Sequence, residues 1–161
     1  ITILTITIQY DTTMDMDFKV AEVTLQYRPI CKKQSKVISS EEAYSILLPT
    51  FREGTIEYRE YAKVLYLNQA SEVIAYNTIS EGGLTETAVD VRLILQGALL
   101  TNATQIILVH NHPSGNLKPS SQDDMLTKRV QKACEVMRVG FTDHLILSPE
   151  GYYSYRDEGR I

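Results

Sequence analysis

The apolar run Ile106-Ile107-Leu108-Val109 passes directly into His110-Asn111-His112-Pro113-Ser114-Gly115. The run reads as the body of a β-strand, Gln105 to Val109, followed by a loop. Side chains two apart on extended chain share a face, so the His110 and His112 imidazoles point into one space. Pro113 stops the strand, and Ser114-Gly115-Asn116 supplies the freedom to turn. The chain then returns to a helix start at Ser120, which puts Asp123 in the first turn, where the helix dipole favours a carboxylate.

Two histidines and an aspartate can hold one zinc ion and leave a fourth position for water, which is the layout of a catalytic site. Water on such an ion has its pKa drawn down to about 7. It needs a general base nearby, and the upstream candidates are Glu57 and Glu60. Ser120 can donate a hydrogen bond to the oxyanion that forms when an amide carbonyl is attacked. A plainer account stands beside this one. Ser120-x-x-Asp123 fits a helix capping box, and so does Ser121-x-x-Asp124 one residue later. A lone histidine at a strand end is commonly a hydrogen-bonded structural residue. What favours a site is the conjunction of paired imidazoles, a loop, a serine and an aspartate at short intervals.

The remaining pattern predicts an α/β domain with a mixed sheet. Ser39-Ser40-Glu41-Glu42 opens a helix running to about Phe51, with Glu42 completing a capping box on Ser39. Tyr61 to Leu67 and Val73 to Ile79 read as an antiparallel hairpin around Asn68-Gln69-Ala70-Ser71. A second helix is expected over Thr87 to Leu100, with Thr87 and Asp90 in capping positions. A third is expected from Ser120/Ser121 to Val139, burying Leu126, Val130, Ala133, Cys134 and Met137 and stopping at Gly140. His144 to Leu147 and Tyr152 to Tyr155 are the last strands. Ahead of all this, Leu4 to Tyr10 alternates Ile/Leu with polar residues, and Val20 to Tyr27 is again strand-like. Residues 1–38 are therefore expected to be a strand or hairpin extension, and residues 39–161 the main domain.

The formal net charge of -4 argues against a sequence-independent nucleic-acid binder, which needs a basic surplus. The two cysteines, Cys31 and Cys134, form no Cys-x-x-Cys pair, so neither a cysteine metal site nor a disulfide framework is suggested. No apolar run is long enough to cross a bilayer. Ile1 to Tyr10 lacks the basic start and apolar core of a signal peptide. The expectation is a cytoplasmic protein with no membrane partner. The chain opens on Ile, so its natural start is expected upstream. The strand Leu4 to Tyr10 offers an edge through which a second copy can pair.

His110-x-His112-Pro113, with seven residues between His112 and Ser120, then Ser120-x-x-Asp123 resembles the JAMM (JAB1/MPN+) metalloprotease motif. His-Asn-His-Pro-Ser-Gly with Pro119-Ser120 following is similar to the RadC family in particular, as are Arg59-Glu60-Tyr61 before one strand and Asp143-His144 at another. The likeness runs from about Ser40 to the C-terminus. Ile1 to Lys36 does not follow it, and the helix-hairpin-helix region of longer RadC proteins is not seen there. The resemblance implies a cytidine-deaminase-like α/β/α core with one Zn2+. It implies His110, His112 and Asp123 as ligands and Ser120 as transition-state support. It implies Glu60 as general base, with Glu57 as the fallback.

Two functions follow as expectations. The first is a zinc-dependent hydrolase cleaving a peptide or isopeptide bond in a protein or peptide substrate. The alternative is a non-catalytic DNA repair or recombination binding module, supported by Lys128, Arg129 and Lys132. A nucleobase deaminase is set aside, because its His-x-Glu…Pro-Cys-x-x-Cys signature is missing. His144 is expected to support the site rather than bind metal. Cys134 is read as core and Cys31 as an inert loop thiol.

Overall fold

A computed structural model describes residues 3–10, 21–28, 35–82 and 89–161. They fall into two units, divided between Lys33 and Gln34. In the first, β1 (Ile3–Tyr10) and β2 (Ala21–Arg28) form an antiparallel ladder from Ile3↔Arg28 to Tyr10↔Ala21. Residues 35–38 belong with the second unit. Lys36 bridges to Glu72, and Val37, buried, donates its N–H to the Ser71 carbonyl at 2.8 Å.

The second unit is a mixed sheet in the order β4-β3-β5-β6-β7. Its strands are β3 (Tyr61–Leu67), β4 (Val73–Glu81), β5 (Gln105–Asn111), β6 (Gly140–Ser148) and β7 (Gly151–Ser154). The expected β3–β4 hairpin is antiparallel, β3 is also antiparallel to β5, and β5 and β6 run parallel. Every residue of β3 is buried, because this inner strand is covered on both faces. One face holds Tyr61, Leu65, Leu67, Ile107, Val109, Leu145 and Leu147 against α1 (Ser40–Leu47). The other holds Val64, Tyr66, Ile106 and Leu108 against α2 (Val91–Leu100) and α3 (Ser121–Met137). The result is an α/β/α sandwich, as the fold reading expected.

Several boundaries shift for physical reasons. The capping box of Ser39 and Glu42 is present, but α1 ends at Leu47. Pro49, which has no N–H to donate, throws Leu48–Thr50 into a 3-10 turn. Helix α2 starts at Val91, with Asp90 as its cap accepting from the Arg92 N–H. The expected capping Thr87 lies outside the described residues. Helix α3 stops at Met137, and its left-handed residue is Arg138 (φ 54°) rather than Gly140. Gly140 instead opens β6, where a Cβ would stand 3.3 Å from Gln105 and 3.4 Å from the Thr104 carbonyl. The buried stripe of α3 is Asp123, Thr127, Val130 and Cys134, while Met137 is exposed. The N-terminal half of that stripe is polar because it faces histidines rather than core. Among the described residues, no helix is long and apolar enough to cross a membrane.

Candidate metal centre

Strand β5 runs two residues further than its apolar core. His110 lies inside it, opposite Ala62 of β3 and Ile146 of β6, and is 2% exposed. His112 lies just past its end, half-buried, where a turn closes from the Gly115 N–H to the His112 carbonyl at 2.9 Å. Gly115 takes φ 72° there, a conformation that suits glycine. Extended geometry brings both rings to one side, as the two-residue spacing predicts.

Across from them, α3 delivers Asp123. The Ser120 side chain accepts from the Asp123 N–H at 3.2 Å, and the Asp123 Oδ2 accepts from the Ser120 N–H at 2.7 Å. The capping account is therefore correct, and it leaves the site account open. The box is the device that fixes where the carboxylate points. Ser121 and Asp124 make no second box; Asp124 instead accepts from the Tyr155 hydroxyl and Arg160.

The three groups converge. His110 Nε2 is 3.0 Å from His112 Nε2 and 3.0 Å from Asp123 Oδ1, and His112 Nε2 is 3.5 Å from Asp123 Oδ2. Among the described residues, His110, His112 and Asp123 form the cluster able to share a metal ion. The His112 Nδ1 donates to the Asn116 carbonyl at 2.5 Å. A carbonyl only accepts, so His112 Nδ1 carries a proton, and in the neutral ring the Nε2 lone pair faces the cluster.

The electrostatics follow from burial and neighbours. Burial alone would raise the Asp123 carboxyl, but His110, His112 and Ser120 together hold it far below the usual carboxylate range. Burial depresses His110. The Asp123 carboxylate raises His112 above its ordinary value, and the Asn116 carbonyl and the charge of Glu60 act in the same direction.

Ala62 pairs with His110 at the end of the β3–β5 ladder, and Glu60 stands one residue before β3. It is half-buried, and its carbonyl accepts from the Gly82 N–H at 2.8 Å. Glu57 is exposed in the turn at 53–58. Ser120 is exposed beside the cluster, while Lys128, Arg129 and Lys132 lie on the solvent side of α3.

Supporting residues surround these. His144 is fully buried, with its Nε2 2.9 Å from His110 Nδ1 and its Nδ1 2.6 Å from Thr127 Oγ1. It stacks on Tyr155 with ring centroids 4.9 Å apart. Burial pushes the neighbouring Asp143 carboxyl up, and Ser40 and Ser154 hydroxyls donate to it at 3.1 and 2.6 Å. Sequence reasoning passed over Asn111 and Thr127. Asn111, between the histidines, points to the other face and accepts from the Tyr61 N–H at 2.8 Å. It also donates to the Ile56 and Arg59 carbonyls at 2.6 and 2.7 Å. Its signal was strand alternation. That of Thr127 was a position four after Asp123 on one helix stripe.

Comparison with known proteins agrees with this picture. Residues 37–160 match the model of the RadC-like JAB domain. The chain is 42% identical over 127 residues to a UPF0758 protein of Flavobacterium johnsoniae, covering 79% of this chain and 54% of that protein. It is 41% identical over 130 residues to a UPF0758 protein of Porphyromonas gingivalis, covering 80% and 56%. It is 46% identical over 100 residues to a UPF0758 protein of Streptococcus gordonii, covering 62% and 44%. The chain thus spans about half the length of these curated relatives. With its own sheet carrying the His-x-His pair and α3 the aspartate, the chain belongs to the RadC-like JAB domain family.

Proposed function

We propose that this domain is a zinc-dependent hydrolase that cleaves a peptide or isopeptide bond. The observation that carries the reading is the approach of His110 Nε2, His112 Nε2 and Asp123 Oδ1 and Oδ2 to 3.0–3.5 Å. Lone pairs so close repel one another unless a positive charge lies among them, and a donor set of two imidazoles and a carboxylate suits zinc. His110, His112 and Asp123 would hold the ion. Bound there, it would polarise a scissile carbonyl and make water nucleophilic at neutral pH.

The remaining work falls to the chain. A Glu60 carboxylate oxygen takes a proton from the attacking water and delivers it to the departing amine nitrogen as the C–N bond breaks. The Ser120 Oγ accepts from a main-chain N–H, so its own proton stays available for the developing oxyanion. The positive end of α3 adds to that stabilisation.

The test joins metal content to turnover. Purified protein is expected to hold near-stoichiometric zinc by elemental analysis, and His112→Ala to lose it. Against a peptide library read by mass spectrometry, the wild type is expected to generate new termini. Glu60→Gln is expected to keep zinc and generate none. Zinc-free wild type, or a Glu60→Gln variant as active as wild type, would overturn the reading.

A further inference from the structure

We infer that Thr127 is a positioning residue for the metal centre, acting through His144 to orient the proton of His110. The inference rests on the reading of His110 as a ligand through Nε2, and it follows from the one-way character of each hydrogen bond.

Thr127 Oγ1 carries one proton and lies 2.7 Å from the Asp123 carbonyl oxygen and 2.6 Å from His144 Nδ1, with the Tyr155 hydroxyl, whose own proton goes to Asp124, as a further polar neighbour. A carbonyl oxygen can only accept. Were the hydroxyl proton given to His144, two oxygens would face each other at 2.7 Å with nothing between them. The proton therefore goes to Asp123, Thr127 accepts from His144, and His144 carries its hydrogen on Nδ1. A neutral imidazole has a single N–H, so His144 Nε2 bears a lone pair. Full burial against His110 and the Tyr155 ring favours that neutral form and holds the ring plane.

At 2.9 Å from this lone pair, His110 Nδ1 must be the donor. The His110 Nε2 is then bare and faces His112 and Asp123. The path is a closed circuit. It starts at the Asp123 carbonyl, passes through Thr127, His144 and His110, and ends at the Asp123 carboxylate, 3.0 Å from His110. One residue thus supplies a candidate ligand and the acceptor that sets the orientation of another ligand. Losing a partner of this kind weakens metal binding by about 10–100-fold.

The experiment reads two quantities on the intact chain. Long-range proton–nitrogen correlation spectra give the His144 tautomer, in metal-free and in zinc-loaded protein. Competition with a chelator gives zinc affinity. Wild type is expected to show His144 protonated at Nδ1 in both states. Thr127→Val is expected to lose that tautomer and bind zinc about 10–100-fold more weakly. Thr127→Ser, which keeps the hydroxyl, is expected to retain both. A wild-type His144 protonated at Nε2 would overturn the relay, as would a Thr127→Val variant with unchanged tautomer and affinity. If Thr127→Val does not fold, the wild-type tautomer and the Thr127→Ser variant still decide. The two readings fail separately. A wild type that binds no zinc but shows the Nδ1 tautomer keeps the relay and removes the metal. A wild type that binds zinc with His144 protonated at Nε2 does the reverse.

Discussion

The side-chain amide of Asn111 donates to the main-chain carbonyl of Arg59 at 2.7 Å, and Arg59 is the residue before Glu60. The same nitrogen reaches the Ile56 carbonyl. One fully buried side chain between the two histidines thus clips down the loop that delivers the proposed base.

Asn111→Asp tests that clip, because it changes shape least. It keeps an acceptor for the Tyr61 N–H but sets oxygen against two carbonyls. We expect it to destabilise the fold by about 2–4 kcal/mol in urea titrations. Zinc content should survive, since Asn111 lies on the opposite face from the ligands, while turnover should fall with the mobility of Glu60. A variant as stable as wild type would show that the clip carries no energy.

Ser120 has two separable duties. Replacing an N-cap serine with alanine costs about 1 kcal/mol, and with glycine only a few tenths. Ser120→Ala should therefore melt about 2–4 °C lower than wild type, and Ser120→Gly close to it. If the hydroxyl also serves the reaction, both should lose activity alike, by about 10²–10³-fold. Activity that tracks melting temperature instead would leave Ser120 as a cap alone.

Gly97 poses a contest of signs. Helix propensity alone says that alanine should stabilise α2 by about 1 kcal/mol. Yet a Cβ at Gly97 would stand 2.0 Å from the Tyr66 hydroxyl oxygen and 2.5 Å from its ring carbon. Tyr66 is 1% exposed and cannot withdraw. Overpacking of this kind costs about 1–3 kcal/mol, so Gly97→Ala should destabilise. In a Tyr66→Leu background the same change should turn neutral or favourable, a coupling that a double-mutant cycle reads directly.

Cys134 is 1% exposed, and burial pushes its thiol up to about 11. At pH 8 the thiolate fraction is then about one in a thousand. Peptide mapping after brief alkylation should find Cys134 unmodified in native protein and fully modified in urea. Prompt native modification would mean that α3 opens locally.

Much of the fold was legible from local pattern. Alternation and apolar runs located β3, β4 and β5, and Ser39 and Ser120 marked helix starts through capping chemistry that is written within four residues. The errors fell where a neighbour outvotes the local signal. Gly140 looks like a helix stop, but its missing Cβ is needed for close approach to Thr104 and Gln105, so it opens a strand. Met137 fits an apolar stripe by period but lies in a last turn with no core beneath it.

The candidate site divides in the same way. Residue spacing alone determined that His110 and His112 share a face and that Asp123 sits in a first helical turn, because strand and helix periods are properties of the local backbone. Only the tertiary structure decided what these groups meet. The fold leaves Glu57 exposed and Glu60 half-buried directly before β3, and sheet and helix packing brings His144 to His110 and Thr127 to His144. Those partners are 17 to 34 residues apart in the chain. Nothing in a local window encodes such a meeting; it is settled by how two faces of one sheet bury their apolar side chains.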